Sequence, residues 1–111
     1  MNIHVRQSGT VQIVELEGEV DLGTSPDLRR VLFDLLGGAQ NLVVNLSALR
    51  YIDSSGIATL IEALKEAQRL RKQFVLCGLS PAVQEVFHLT HVHRVFRIVD
   101  TEEEAVKLLS A

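Results

Sequence analysis

Hydrophobic and polar residues alternate along Ile3 to Gln7 and again from Val11 to Glu17, with Ser8-Gly9 between the two runs. A period of two sends every second side chain to one face of a strand, so the runs are predicted to pair as a β-hairpin. The period then changes. After Gly23-Thr24-Ser25-Pro26, the residues Leu28, Val31, Leu32, Leu35 and Leu36 recur at helical spacing. This predicts an amphipathic helix with Ser25 as N-cap, Pro26 at the first helical position and Gly37-Gly38 at its end.

Asn41 to Leu46 follows, and its Leu-Val-Val centre is too apolar for a half-exposed strand, which predicts a central buried one. A turn is expected over Ser47 to Arg50, then a brief extended Tyr51-Ile52. Asp53-Ser54-Ser55-Gly56 opens a second helix, whose stripe of Ile57, Leu60, Ile61 and Leu64 leads on to Leu70. The basic Arg69-Leu70-Arg71-Lys72 complements the dipole at its C-terminus. Phe74 to Cys77 reads as another buried strand, and Ser80-Pro81 opens a third helix with Val83, Val86 and Phe87 on one face. Val95 to Val99 is predicted as the last strand, with Arg97 interrupting it. Thr101 followed by Glu104 fits the capping box of a final helix that carries Ala105, Leu108 and Leu109. The order ββαβαβαβα implies an α/β fold, a mixed but mostly parallel sheet with helices packed against it.

Composition narrows the classes. With 111 residues, 47% hydrophobic and 23% charged, the chain is expected to form one globular domain over 1–111. Eleven basic against fourteen acidic side chains, a formal charge of −3, disfavours direct nucleic-acid binding. No run approaches the ~18 to 20 apolar residues of a bilayer span. The start, Met-Asn-Ile-His-Val, lacks a signal pattern, and one cysteine cannot form an internal disulfide, so a cytoplasmic location is expected.

The candidate chemistry centres on Asp53-Ser54-Ser55-Gly56. Hydroxyls at a helix start can cap free N–H groups, which is the plainer reading on spacing alone. They can also accept a phosphate, which N–H groups and dipole at a helix N-terminus favour. His88, His91 and His93 form a His-x-x-His-x-His cluster, but they straddle a helix end and a loop without a fourth ligand, so no metal is expected. Cys77 reads as a small buried strand residue, and Glu102-Glu103-Glu104 as a solvated first turn. Phosphate-loop and nucleophile-elbow motifs are absent, which argues against an enzyme and leaves no cofactor to assign.

Three motifs, taken in order, carry a family resemblance. They are Gly18-Glu19-Val20-Asp21; Asn45-Leu46-Ser47 with Tyr51-Ile52-Asp53-Ser54-Ser55-Gly56; and Gly78-Leu79-Ser80-Pro81-Ala82-Val83 with Val86-Phe87. Together they resemble a STAS domain, and more narrowly the bacterial anti-sigma factor antagonists of partner-switching regulation. The resemblance implies that Ser54, directly after the aspartate, is phosphorylated by an anti-sigma factor acting as a serine kinase, with Ser55 as a supporting cap. It further implies that the unphosphorylated chain binds that kinase and frees a sigma factor, that phosphorylation releases it, and that a phosphoserine phosphatase resets it. Asp21 matches a family aspartate beside the phosphoacceptor. The partner surface is expected to comprise Asp21, Gly23, Thr24 and Ser25 with Asp53, Ser55, Gly56 and Ile57.

One departure stands out: relatives often carry Leu-Gly where this chain has Ile57-Ala58, which alters the partner-facing surface. Two other functions compete. One is a STAS subunit of another assembly, such as a lipid transporter or stress-signalling complex, that binds without a phosphoswitch. The other is a small hydrolase using Ser54 with His88 or Asp21, disfavoured because no activating base lies at a motif spacing.

Overall fold

The computed structural model describes residues 1–38 and 41–110. Its elements follow the predicted order: β1 (Asn2–Ser8), β2 (Val11–Val20), α1 (Ser25–Gly37), β3 (Asn41–Ile52), α2 (Ser54–Arg69), β4 (Phe74–Cys77), α3 (Pro81–Leu89), a 3-10 turn (Val92–Arg94), β5 (Arg97–Val99) and α4 (Glu102–Leu109). The sheet runs β1-β2-β3-β4-β5 in space. β1 pairs antiparallel to β2, and the remaining pairs are parallel. The sheet is therefore mixed and mostly parallel, as the alternation of elements implies.

Alternation along the strands divides the core in two. Val14, Leu16 and Val20 of β2 join Leu42, Val44 and Leu46 of β3 against Leu28, Leu32 and Leu36 of α1, Leu60, Ala63 and Ala67 of α2, and Phe87 of α3. On the opposite face Val11, Ile13, Val43, Val75 and Cys77 lie under Ala105 and Leu109 of α4. A helix on each face explains why Leu42-Val43-Val44 is continuously apolar. Among the described residues no helix is long and apolar enough to cross a membrane.

Three local expectations are corrected. β3 does not turn at Ser47 to Arg50 but continues to Ile52 alongside β2. Its register slips between Glu15 and Glu17 and between Gly18 and Glu19, where β3 carries one more residue than β2 each time. The bulges place Leu46, Leu49 and Ile52 inside at intervals of three, which disguises the strand period. The last strand begins at Arg97 rather than Val95, because the Val95 N–H donates to Val92 O at 2.9 Å and closes the 3-10 turn instead of joining a ladder.

The N-cap of α1 is Thr24, not Ser25, which is the first helical residue and is buried. Asp21 explains the shift. Its backbone carbonyl accepts from the N–H groups of Thr24 (3.1 Å) and Ser25 (2.8 Å). Its carboxylate accepts from those of Gly23 (3.0 Å) and Thr24 (3.1 Å). At α4, by contrast, Thr101 caps as expected, its hydroxyl oxygen accepting from the Glu104 N–H at 3.1 Å.

Candidate functional site at the start of helix α2

The C-terminal ends of β2 and β3 deliver the loop Asp21–Thr24 and the start of α2 to one rim of the sheet, where open α/β folds commonly present their sites. The Asp53 N–H donates to Val20 O at 3.1 Å and ties the two units together. Asp53 is extended, at φ −100° and ψ −174°, and its side chain turns back over the first turn of α2. Its Oδ1 accepts from the N–H of Ser55 (2.9 Å), the N–H of Gly56 (3.1 Å) and the hydroxyl of Ser55 (2.5 Å). The Ser55 hydroxyl, with the backbone N–H groups of Gly56, Ser55 and Leu22, holds the Asp53 carboxyl below the usual aspartate range. It stays ionised at neutral pH.

This corrects the assignment of the cap. The cap is Asp53, because a carboxylate accepts several bonds at once, and Ser55 donates its hydroxyl to it rather than capping the helix. Ser54, the first helical residue, is exposed, and among the described residues its hydroxyl makes no hydrogen bond. Two adjacent serines are thus placed in different states by one carboxylate.

Gly56 makes the close approach possible. A Cβ there would stand 2.6 Å from Ile52 Cγ1 and 2.7 Å from Val20 Cγ1, so only glycine lets the helix start settle onto the two strand ends. Of the remaining residues predicted on the partner surface, Asp21 and Gly23 are exposed, Thr24, Asp53 and Ser55 are half-buried, and Ser25, Gly56 and Ile57 are buried. The buried three support the rim from beneath. Leu22, which the sequence reading passed over, is 77% exposed between Asp21 and Gly23. An isolated leucine in a Gly/Asp loop carries no periodicity, so only its placement distinguishes it.

Other candidates lie elsewhere. His88 and His93 stack with ring centroids 4.1 Å apart, and His93 Nδ1 donates to Phe87 O at 3.2 Å. They line a cavity of about 330 Å³ with Gln84 and Asp100. Among the described residues no three His, Cys, Asp or Glu side chains gather to hold a metal ion. Among the described residues neither His88 nor Asp21 makes a hydrogen bond to Ser54: the His88 ring stacks on His93, and the Asp21 carboxylate accepts from Gly23 and Thr24. Cys77 is buried, which, with Glu102 nearby, pushes its thiol up to about 12 and leaves it no thiolate character at neutral pH.

A second perturbed carboxyl sits on the α4 face. Glu102 takes a two-pronged bond from Arg6, at 2.9 and 2.7 Å, and a third from Asn45 Nδ2 at 3.0 Å. Arg6, first, and Asn45 hold it below the usual glutamate range.

Comparison with known proteins agrees with this architecture. An anti-sigma-B factor antagonist from Staphylococcus aureus is 26% identical over 104 residues, covering 93% of this chain and 96% of its own. The crystal structure of an anti-sigma factor antagonist from Mycobacterium paratuberculosis superimposes with a TM-score of 0.90 at 23% identity, over 99% of this chain and 94% of that one. The Bacillus cell fate determinant SpoIIAA in its phosphorylated form gives a TM-score of 0.73 at 22% identity, over 96% and 97% of the two chains. The STAS domain model matches residues 2–105, nearly the whole fold just described, and the chain belongs to the STAS domain family.

Proposed function

We propose that this protein is an anti-sigma factor antagonist whose partner choice is set by phosphorylation of Ser54. The unphosphorylated form binds an anti-sigma factor with serine kinase activity and frees its sigma factor; phosphorylation releases it, and a phosphoserine phosphatase restores it. The observation that carries this reading is the contrast between the two hydroxyls: that of Ser54 is exposed and, among the described residues, unbonded, while that of Ser55 is held by Asp53. A kinase needs a hydroxyl it can reach without first breaking a charge-assisted hydrogen bond. The relatives support the reading as well, since one is named an anti-sigma-B factor antagonist and another is known in a phosphorylated form.

The geometry also changes how the phosphate would act. At a bare helix N-terminus the free N–H groups would accept it. Here the Asp53 carboxylate already holds those of Ser55 and Gly56, so a phosphate on Ser54 stands outward beside another negative charge. It is left for the partner to accommodate. A mispaired charge in an interface costs ~2 to 5 kcal/mol, which weakens binding roughly thirty- to several-thousandfold. That is sufficient for release without unfolding.

The test is to incubate the purified protein with ATP and each anti-sigma factor kinase of its source organism, then map the phosphate by mass spectrometry. The reading expects stoichiometric phosphate on Ser54 and constitutive binding by Ser54→Ala. Phosphate on Ser55 alone, or none with any kinase, overturns it and points to a STAS subunit of another assembly.

A further inference from the structure

We infer that Leu22 is the affinity anchor of the switch surface, a leucine held out to enter an apolar pocket on the anti-sigma factor kinase. This rests on the function proposed above and adds to it the residue that supplies affinity, as distinct from the residue that switches it.

Exposure alone would prove nothing, since single apolar residues are common on protein surfaces. Leu22 differs in how it is held. Asp21 Oδ1 accepts from Gly23 and Thr24, Asp21 O accepts from Thr24 and Ser25, and the Thr24 hydroxyl oxygen accepts from the Asp21 N–H at 2.9 Å. The loop is thereby closed on itself on both sides of Leu22. Its outer connection is to the phosphoacceptor unit: the Asp53 N–H bonds Val20 O, and the Leu22 N–H lies close enough to the Asp53 carboxylate to help lower its pKa.

Asp53 thus joins the two units: its N–H bonds Val20 O at the root of the Leu22 loop, and its side chain caps the helix that displays Ser54. A side chain that could fold inward would lose little by doing so. The loop bonds order the backbone that carries Leu22, so its side chain stands 77% exposed on a turn whose own ordering cost is already met. An apolar side chain that fills a pocket on the partner, ringed by polar contacts that exclude water, is the form an anchor takes at such a surface.

The molecule contains its own control. Leu89 is 73% exposed, nearly the same as Leu22. It ends α3, which connects the parallel strands β4 and β5 and so returns to the opposite end of the sheet from Ser54. Leu22→Ala and Leu89→Ala remove the same exposed surface at opposite rims.

The experiment measures binding of the full chain to the anti-sigma factor kinase that binds its wild-type form, by calorimetry, together with steady-state phosphorylation of Ser54. Leu22→Ala is expected to weaken binding by about tenfold or more. It should raise KM for phosphorylation correspondingly, with kcat unchanged, because the anchor acts before and during the chemical step alike. Leu89→Ala should leave both unchanged. Circular dichroism of both variants should match wild type.

If Leu22→Ala binds within about twofold of wild type while Ser54→Asp does not bind, the anchor is wrong and the phosphoswitch stands. Equal losses in both leucine variants also overturn it, since apolar surface in general would then be responsible. Absence of any kinase that binds the wild-type chain removes the proposed function and the anchor with it.

Discussion

Asp53 and Glu102 both stand at helix starts, and they do different things. Asp53 at α2 takes all of its side-chain partners from within three residues, apart from the loop N–H of Leu22. Glu102 at α4 takes Arg6 and Asn45, which lie 96 and 57 positions away. The first arrangement forms as soon as the helix turn forms and leaves the neighbouring hydroxyl of Ser54 outside it. The second ties the edge strand β1, the central strand β3 and α4 together and exists only in the folded sheet. The local cap sets which hydroxyl is left outside it, while the long-range network holds three elements of the fold together.

The widest separation between the two regions should come from Ser54. Ser54→Asp is expected to weaken kinase binding by at least about thirtyfold, somewhat less than phosphate itself, which carries more charge and more acceptor oxygens. Its folding stability should stay within about 0.5 kcal/mol of wild type, as for other exposed substitutions. Calorimetric binding and urea unfolding of the same preparation would show this dissociation of function from stability.

Gly56→Ala should lose both properties. The added Cβ collides with Ile52 and Val20, and overpacking of this kind costs about 1 to 3 kcal/mol. The urea midpoint should fall, and kinase binding should weaken because the start of α2 must lift. If binding were unaffected, the position of this helix turn would not matter to the partner.

Glu102→Ala is expected to do the reverse of Ser54→Asp. It strips Arg6 and Asn45 of their shared acceptor at a partly exposed site, for a loss of about 1 to 2 kcal/mol. Kinase binding should remain unchanged. A loss of binding in this variant would mean that the two regions communicate through the sheet.

The smallest expected effect is in acid. Both carboxyls have folded pKa values below their ordinary ones, 3.8 for aspartate and 4.5 for glutamate. The stability they contribute is therefore complete above those ordinary values, and is lost as the pH falls through the lower folded values. Wild-type stability should decline below pH 4.5, and Glu102→Gln should decline less steeply over the same range because its share is already gone. Urea midpoints measured between neutral pH and acid check the difference in slope.

What was legible in the sequence follows the same division. Elements stabilised by their own period could be read: the α1 stripe from Leu28 to Leu36, the continuous Leu42-Val43-Val44 and the Thr101 cap. Elements that depend on a distant partner could not. β3 runs past Ser47 only because β2 pairs with it through two register slips, and no local pattern marks that. The motif singles out Ser54 as the candidate phosphoacceptor, yet residue order does not reveal Asp53 as the cap, because a sequence shows which side chains could accept N–H bonds and not which of three neighbours turns back to do so. The exposure of Leu22 is hidden for a similar reason: the bonds of Asp21 that close the loop around it are not visible in residue order.

The central claim is that Ser54 lies outside the hydrogen-bonded cap, so its phosphorylation adds charge to the surface and leaves the fold as it is. The direct test compares amide chemical shifts and hydrogen exchange of the phosphorylated and unphosphorylated chains, free of partner. The account predicts shift changes confined to Leu22, Asp53, Ser54, Ser55 and Gly56, with unaltered protection in α1 and α4. Widespread shifts through Leu28 to Leu36, or loss of protection in α2, would show a conformational switch and contradict it.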